Sequence, residues 1–471
     1  MKSGANQRPD FRLWAVCLLL AAAALAVRLP LLEPRPMHTD EAVHALIIGD
    51  MLAGKAYAYN PRDFHGPAFY FLAEPLLRLM GVRSLATLEA WQLRLVPALT
   101  WSALILLLPL LRSGLGSLGV IVAGGLLAIV APFCYFSTDF IHESLFLFAT
   151  VFSIAAGWRF SQAPGALWAI ALGAGIGLMV ATKETVVLTL AAGGLACVAT
   201  VRWKPGTSKQ LIPLAAIIVA VAVVVAALFF TSFGSQFDGL RNLISAGGNF
   251  TARAGGQGHE KPWWTYLDWV FTPNPRSWPF GGWILALLFL AGVLLARHRP
   301  LVRFLAWFSL GLWIFYSAIP YKTPWLELNF LVPMALVGGA GVQEFWFSRW
   351  IAAGLWGRVA IGLVAIGFCV LLTSETYRLC SRFSADPMNP LAYAASSNDV
   401  KRLESKVTEL LGQKPAAVVQ VVTADSWPLP WYLRKFPNVG YWPKPPASLT
   451  GDVLILSPET SETIGQNLNY R

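Results

Sequence analysis

His38-Thr39-Asp40-Glu41-Ala42-Val43-His44 sets two carboxylates and two imidazoles into one short stretch, directly after the first long apolar run of the chain. A lipid-soluble chain gains little from such charges unless they work at its surface. Asp40 and His44 are four apart, so a helix sets them on one face. Residues 40–53 alternate apolar and polar side chains at helical spacing. Thr39 is placed to cap this helix, two acids occupy its first turn, and Gly54 is placed to end it. The stretch reads as an interfacial helix, lying along the membrane rather than crossing it.

The surrounding composition supports a membrane setting. The chain has 471 residues, 56% hydrophobic and 13% charged, against roughly a quarter charged in a soluble protein. Several runs of about 18 residues or more carry few or no charges, enough to cross the hydrocarbon core. The net charge of +11 does not point to nucleic acid, because no polar domain carries it. Of the five cysteines, Cys17, Cys134, Cys197, Cys369 and Cys380, four lie in apolar runs, and no C-x-x-C occurs. This argues against a disulfide framework or a cysteine metal site.

Phe11 to Leu29 reads as a retained first span, and Arg8 and Arg12 place the N-terminus in the cytoplasm. An external segment covers 30–91. Further spans read as 93–111, 117–136, 144–160, 165–182, 185–201 and 211–232. A second external loop covers 233–279, and spans at 280–296, 303–319, 326–347 and 351–373 follow. The spans number about eleven. Arg112, Arg159, Arg202/Lys204/Lys209, Arg297/Arg299/Arg303 and Arg349 fall in alternate loops, those on the inside. An odd count leaves the C-terminus outside. The fold class is therefore an α-helical polytopic membrane protein: a membrane domain over 1–373 and an external α/β domain over 374–471. In the latter, 390–412 reads as helix and 416–422 and 452–456 as strands, with Pro428 and Pro430 marking a turn between them.

The residues that could carry chemistry cluster at external ends of spans. Asp40 and Glu41 read either as helix-capping acids or as a catalytic pair. With His38 and His44, Asp40 could also hold a divalent ion: oxygen ligands suit magnesium or manganese, and the imidazoles also suit zinc. Phe136-Ser137-Thr138-Asp139-Phe140-Ile141-His142-Glu143 repeats the theme, with Asp139 and Glu143 four apart if the next helix begins early. Lys183 and Glu184 interrupt an apolar hairpin. Neighbours in sequence do not face each other on a helix, so Lys183 is free to point at a lipid phosphate. Lys322, beside Tyr321 and Trp325, is a second such cation or an interfacial anchor. Arg62 and His65 sit in a rigid Pro-flanked loop, and His259 in a Gly-rich one with Trp263 and Trp264. That Gly-rich piece has no preceding strand and is not a nucleotide fingerprint.

Together these pieces resemble the GT-C superfamily of integral-membrane glycosyltransferases. They are His38-Thr39-Asp40-Glu41-Ala42, His65-Gly66-Pro67, His142-Glu143-Ser144, Lys183-Glu184-Thr185, Gly258-His259-Glu260-Lys261-Pro262-Trp263 and Tyr321-Lys322-Thr323-Pro324-Trp325. Within the superfamily the pattern is similar to the flippase-activity-associated family of glycosylation loci. Protein mannosyltransferases and the lipid A aminoarabinose transferase are further relatives. The resemblance implies a polyprenyl-phosphate-linked sugar as donor, and a lipid, protein or glycan acceptor on the outer face of the plasma membrane. It implies that Asp40 or Glu41 is base or metal ligand. His65, Arg62, Asp139, His142, Glu143, Lys183, Glu184, His259 and Lys322 would line the substrate site. Aminoarabinose transferases show Lys-Pro-Pro where this chain has His65-Gly66-Pro67, which shifts the phosphate-binding role to Lys183 and Lys322. A lipid-linked-sugar flippase, or a scaffold associated with one, is the alternative. A transporter should show repeats and broken helices at the midplane, whereas the polar motifs here sit at span ends.

Overall fold

The structure is a computed structural model that describes residues 10–464, apart from 63–64, 201–207, 257, 277, 349–353, 412–413, 415 and 447. Arg8, Arg202, Lys204 and Arg349, all used above to set topology, lie outside the described residues.

The chain runs through α1 (Phe11–Arg28), α2 (Thr39–Leu52), α3 (Ala68–Leu79), α4 (Ala90–Ile105), α5 (Arg112–Leu115), α6 (Ser117–Ile129), α7 (Ala131–Phe136) and α8 (Glu143–Gln162). It continues through α9 (Ala166–Val180), α10 (Val186–Thr200), α11 (Ser208–Phe230), α12 (Asp238–Ala254), α13 (Thr265–Phe271), α14 (Phe280–Leu295), α15 (Pro300–Ala318), α16 (Leu328–Phe347) and α17 (Gly354–Tyr377). Among the described residues, seven helical segments are long and apolar enough to span a membrane, and four shorter apolar helices join them. They coincide with the eleven segments read from the sequence. The Pro324–Phe347 segment, which contains α16, is 89% buried in its most apolar stretch, against 6% for α11 and 17% for α17. α16 is therefore the core of the bundle, and α11 and α17 turn most of their surface to lipid. Small residues let α16 approach its neighbours: a Cβ on Gly339 would stand 2.3 Å from the Gly119 carbonyl oxygen of α6.

The expected 117–136 span is broken. Val130 leaves the helix (ψ 133°) and divides α6 from α7. Pro132 has no N–H to return to the Ala128 carbonyl, so the break frees acceptors that lipid cannot satisfy. Arg28, buried in the first span, supplies the missing donors. Its guanidinium reaches Ala128 O at 3.0 Å, Leu127 O at 3.1 Å and Phe133 O at 3.1 Å.

Two other readings need correction. The cap of α2 is His38, not Thr39: His38 Nδ1 accepts from the Asp40 amide at 3.1 Å, and Glu41 Oε2 accepts from the His38 amide at 3.0 Å. This is a capping box with an imidazole in the usual hydroxyl's place. After the last span, 390–412 is not one helix. An irregular stretch leads to a short 3₁₀ turn and then α18 (Leu403–Leu411).

The sheet beyond it has three parallel strands in the order β2-β1-β3: β1 (Val419–Val422), β2 (Val439–Trp442) and β3 (Val453–Leu456). β1 and β3 were read from sequence. β2 was missed because Val439-Gly440-Tyr441-Trp442 is short and holds a glycine. Between β1 and β2 lies α19 (Leu429–Tyr432), and α20 (Pro458–Ile464) closes the described chain.

Candidate active site

Three loop contacts build a cavity of about 150 Å³. In the first, the loop before α3 docks on the turn between α9 and α10. The Gly66 amide donates to Thr182 O at 3.0 Å, and the Ala68 amide to Ala181 O at 2.9 Å. A Cβ at position 66 would lie 2.3 Å from Ala181 O, so only glycine permits this approach. The docking presents His65 to Glu184, with Nδ1 at 2.9 Å from Oε2. In the second, the 259–261 segment pairs with 320–322 through Lys261 N to Pro320 O at 3.1 Å and Lys322 N to His259 O at 3.2 Å. In the third, the N-terminus of α2 brings in Asp40. The wall also includes Lys183, Thr185, Tyr316, Tyr321, Thr323 and Trp325.

The two acids of the opening stretch are thereby separated. Glu41 is fully buried. Its carboxylate receives Arg94 Nε at 2.7 Å and a terminal guanidinium nitrogen at 2.6 Å, the Phe140 amide at 2.9 Å, and the His38 amide. Burial alone would raise its pKa, but the Arg94 charge and hydrogen bonds prevail and hold it at about 2. Glu41 is therefore a structural hub, not the second catalytic acid expected. It also joins the two acidic corners, because Phe140 belongs to the second. Arg94 ties the same loop further, donating to Leu32 O, Arg35 O and Pro36 O at 2.9–3.0 Å.

Asp40 faces the cavity with its side chain 20% exposed. Among the described residues no hydrogen bond ties its carboxylate, and the basic atom beside it is His38 Nδ1 at 4.0 Å. That nitrogen accepts from an amide, so it offers the Asp40 carboxylate no proton. Glu184, the other acid of the cavity wall, is engaged by His65. Burial raises its pKa, and His65 lowers it further, to about 2.

The remaining candidates divide. His65, Lys183, Glu184 and His259 line the cavity. Lys183 is buried and ion-paired with Glu143. His259 Nδ1 is held by the Tyr393 hydroxyl at 2.6 Å. His142 is buried outside the wall. Its Nε2 meets Gly66 O at 3.1 Å, and its ring packs 4.8 Å from that of His44 and 5.0 Å from that of His65. Burial depresses the basicity of both His142 and His44, the latter to about 3. His44 Nδ1 lies 2.7 Å from the Tyr70 hydroxyl.

Asp139 and Glu143 do not share a helix, because α8 begins only at Glu143. Asp139 instead pairs with Arg35 at 2.6 Å and lines a smaller pocket with His38, Trp325 and Tyr393. Lys322 is not a cation for the cavity. It is 1% exposed, and its ammonium donates to Ser317 O at 2.9 Å and to Ile319 O, carbonyls that end α15. Arg62 is exposed and outside the wall. His38, Asp40 and His44 do not converge on one point. No group of three or more His, Cys, Asp or Glu side chains that could hold a metal occurs among the described residues. The reason is local: capping occupies His38, and Tyr70 draws His44 into the core.

Sequence reasoning missed four contributors. Arg94 could have been found as an arginine inside an apolar run. Tyr316, Thr185 and Thr323 carry no such signal. Each is nine-tenths buried or more and lines the cavity, with the Tyr316 hydroxyl beside that of Thr185.

No protein-family model and no curated protein matches the chain. Solved structures do match. One is ArnT from Cupriavidus metallidurans bound to undecaprenyl phosphate, at 16% identity over 96% of this chain and 94% of that one, with a TM-score of 0.65. Another is the Archaeoglobus fulgidus oligosaccharyltransferase in the apo form, at 13% identity over 93% of this chain and 65% of that one, with a TM-score of 0.58. The fold is the GT-C glycosyltransferase fold.

Proposed function

We propose that this protein is a membrane glycosyltransferase that takes a sugar from a polyprenyl-phosphate donor and passes it to a hydroxyl-bearing acceptor. The observation that carries the reading is Asp40: an untied carboxylate facing a cavity in which the other acid, Glu184, is engaged by His65. ArnT of the same fold was solved with undecaprenyl phosphate, which supports the donor class.

In the reaction, the acceptor oxygen forms a bond to the sugar's anomeric carbon. The bond from that carbon to the phosphate oxygen breaks, and its electron pair leaves with the polyprenyl phosphate. The acceptor proton goes to Asp40. Lys183 and the hydroxyls of Tyr316, Thr185 and Thr323 are the donors that the cavity wall offers to the phosphate or the sugar. A divalent ion, magnesium or manganese, has no three-ligand group waiting for it among the described residues. The oligosaccharyltransferase of the same fold was solved with zinc and sulfate.

The test uses full-length protein in proteoliposomes. Undecaprenyl phosphate carrying glucose, mannose, arabinose or aminoarabinose is supplied with an envelope extract as the source of acceptor hydroxyls, and release of undecaprenyl phosphate is followed. Release with one member, dependent on Asp40, is expected. Translocation of the lipid-linked sugar without release would establish the flippase alternative instead.

Two further outcomes follow. Lys183→Ala should weaken binding of undecaprenyl phosphate at least tenfold, while Lys183→Arg keeps most of it, because a cation at the membrane surface is what is required. Lys183→Ala also strands Glu143. Adding Glu143→Gln should therefore restore thermal stability without restoring affinity; recovered affinity would show that Lys183 serves Glu143 alone.

The second concerns location. We place the protein in the plasma membrane with residues 374–471 outside. In a cysteine-free background, Ser397→Cys should react with an impermeant maleimide in intact cells. Reaction only after permeabilisation would reverse the topology.

A further inference from the structure

Among the described residues, the stretch after the last span contributes no side chain to the main cavity, yet it holds the backbone that leads to Asp40. Met37 is 1% exposed and stands immediately before the His38 cap. Its amide donates to the Tyr432 hydroxyl at 2.9 Å, and its carbonyl accepts from Ser396 Oγ at 2.9 Å. The backbone of one residue is thus gripped at its N–H by α19 and at its C=O by the segment leading to α18. A simple docking contact would not need both.

We infer that Ser396 and Tyr432 are positioning residues of the reaction, fixing the Met37 peptide and through it the direction of Asp40. The inference rests on the glycosyltransferase reading above. Two other contacts support it. Tyr393, from the same segment, holds His259 of the cavity wall. Arg434 anchors α19 to the membrane domain through Leu88 O at 2.9 Å. With Arg94 holding the carbonyls of residues 32, 35 and 36, the whole approach to Asp40 is fixed before substrate arrives. Such preorganisation is where remote contacts enter a rate.

The test uses full-length Tyr432→Phe and Ser396→Ala. Each removes one oxygen and leaves the packing. The probe is the undecaprenyl-phosphate sugar that the wild type turns over fastest. Turnover should fall about tenfold in each variant, while KM for the donor stays within about twofold. The double variant should lose less than the product of the singles, because both act on the backbone of one residue. Hydrogen exchange at the Met37 amide should quicken in Tyr432→Phe.

Three results would overturn the inference: unchanged turnover despite faster Met37 exchange, unchanged Met37 exchange, or a loss confined to KM. A lower melting temperature with normal turnover per folded molecule would mark both residues as structural only. The underlying reading fails separately, if the wild type transfers sugar from none of these donors.

Discussion

Glu41→Gln should destabilise the folded protein by about 3–5 kcal/mol, the cost of removing one partner from a buried ion pair. Both members are fully buried, at 0% exposure. Glutamine keeps the size and one acceptor oxygen. Its amide nitrogen, however, must face the Arg94 guanidinium together with either the Phe140 amide or the His38 amide, and all of these are donors. The guanidinium then remains buried without a counter-charge. Arg94→Met should do comparable damage for a different reason, because Leu32 O, Arg35 O and Pro36 O lose their donors together. Replacing both residues by apolar ones should not rescue the fold. The pair also satisfies backbone groups that no methyl can reach.

The sign of the pH dependence follows from the same contacts. The carboxylate of Glu41 is held at about 2, below its ordinary value near ~4.3. Its contribution is complete above that ordinary value and is lost as pH falls toward 2. Melting temperatures of wild type and Glu41→Gln, measured in one detergent, should therefore converge as pH drops from 5 toward about 2–3. Parallel curves across that window would show that Glu41 does not carry the charge assigned to it.

What sequence could show here is bounded by what each residue needs from afar. Eleven apolar segments are legible because lipid imposes length and composition on each separately. The helix α2 is legible because its spacing and its Gly54 stop are local. The difference between Asp40 and Glu41 is not, since adjacent acids look alike until Arg94, from another helix, takes one of them. Lys183 and Lys322 both read as cations at the membrane surface. Only the fold shows that Lys183 lines the cavity and that Lys322 closes the end of α15. The Val130 break is half legible. Pro132 announces it, but the donor that makes it tolerable is Arg28, about a hundred residues earlier. The grip on Met37 comes from residues more than 350 positions away, and no local pattern reports it.

Asp40→Asn should lower turnover by two orders of magnitude or more, within the ~10²–10⁴-fold typical of a general base. The substitution leaves the helix start intact for a reason the structure supplies. The cap of α2 is His38, which uses the backbone amide of residue 40 and not its side chain. Among the described residues no hydrogen bond ties the Asp40 carboxylate, so asparagine strands no donor. Loss of an acid from the first turn weakens the interaction with the helix dipole by only about 0.3–1 kcal/mol. Melting temperature should thus move little while turnover collapses, the reverse of Glu41→Gln, in which activity should fall in step with the folded fraction. The deciding comparison is release of undecaprenyl phosphate against thermal stability on the same samples. Near-normal release by Asp40→Asn would remove Asp40 from the chemistry. The remaining carboxylate of the cavity wall is Glu184, and the base would then have to come from its pair with His65.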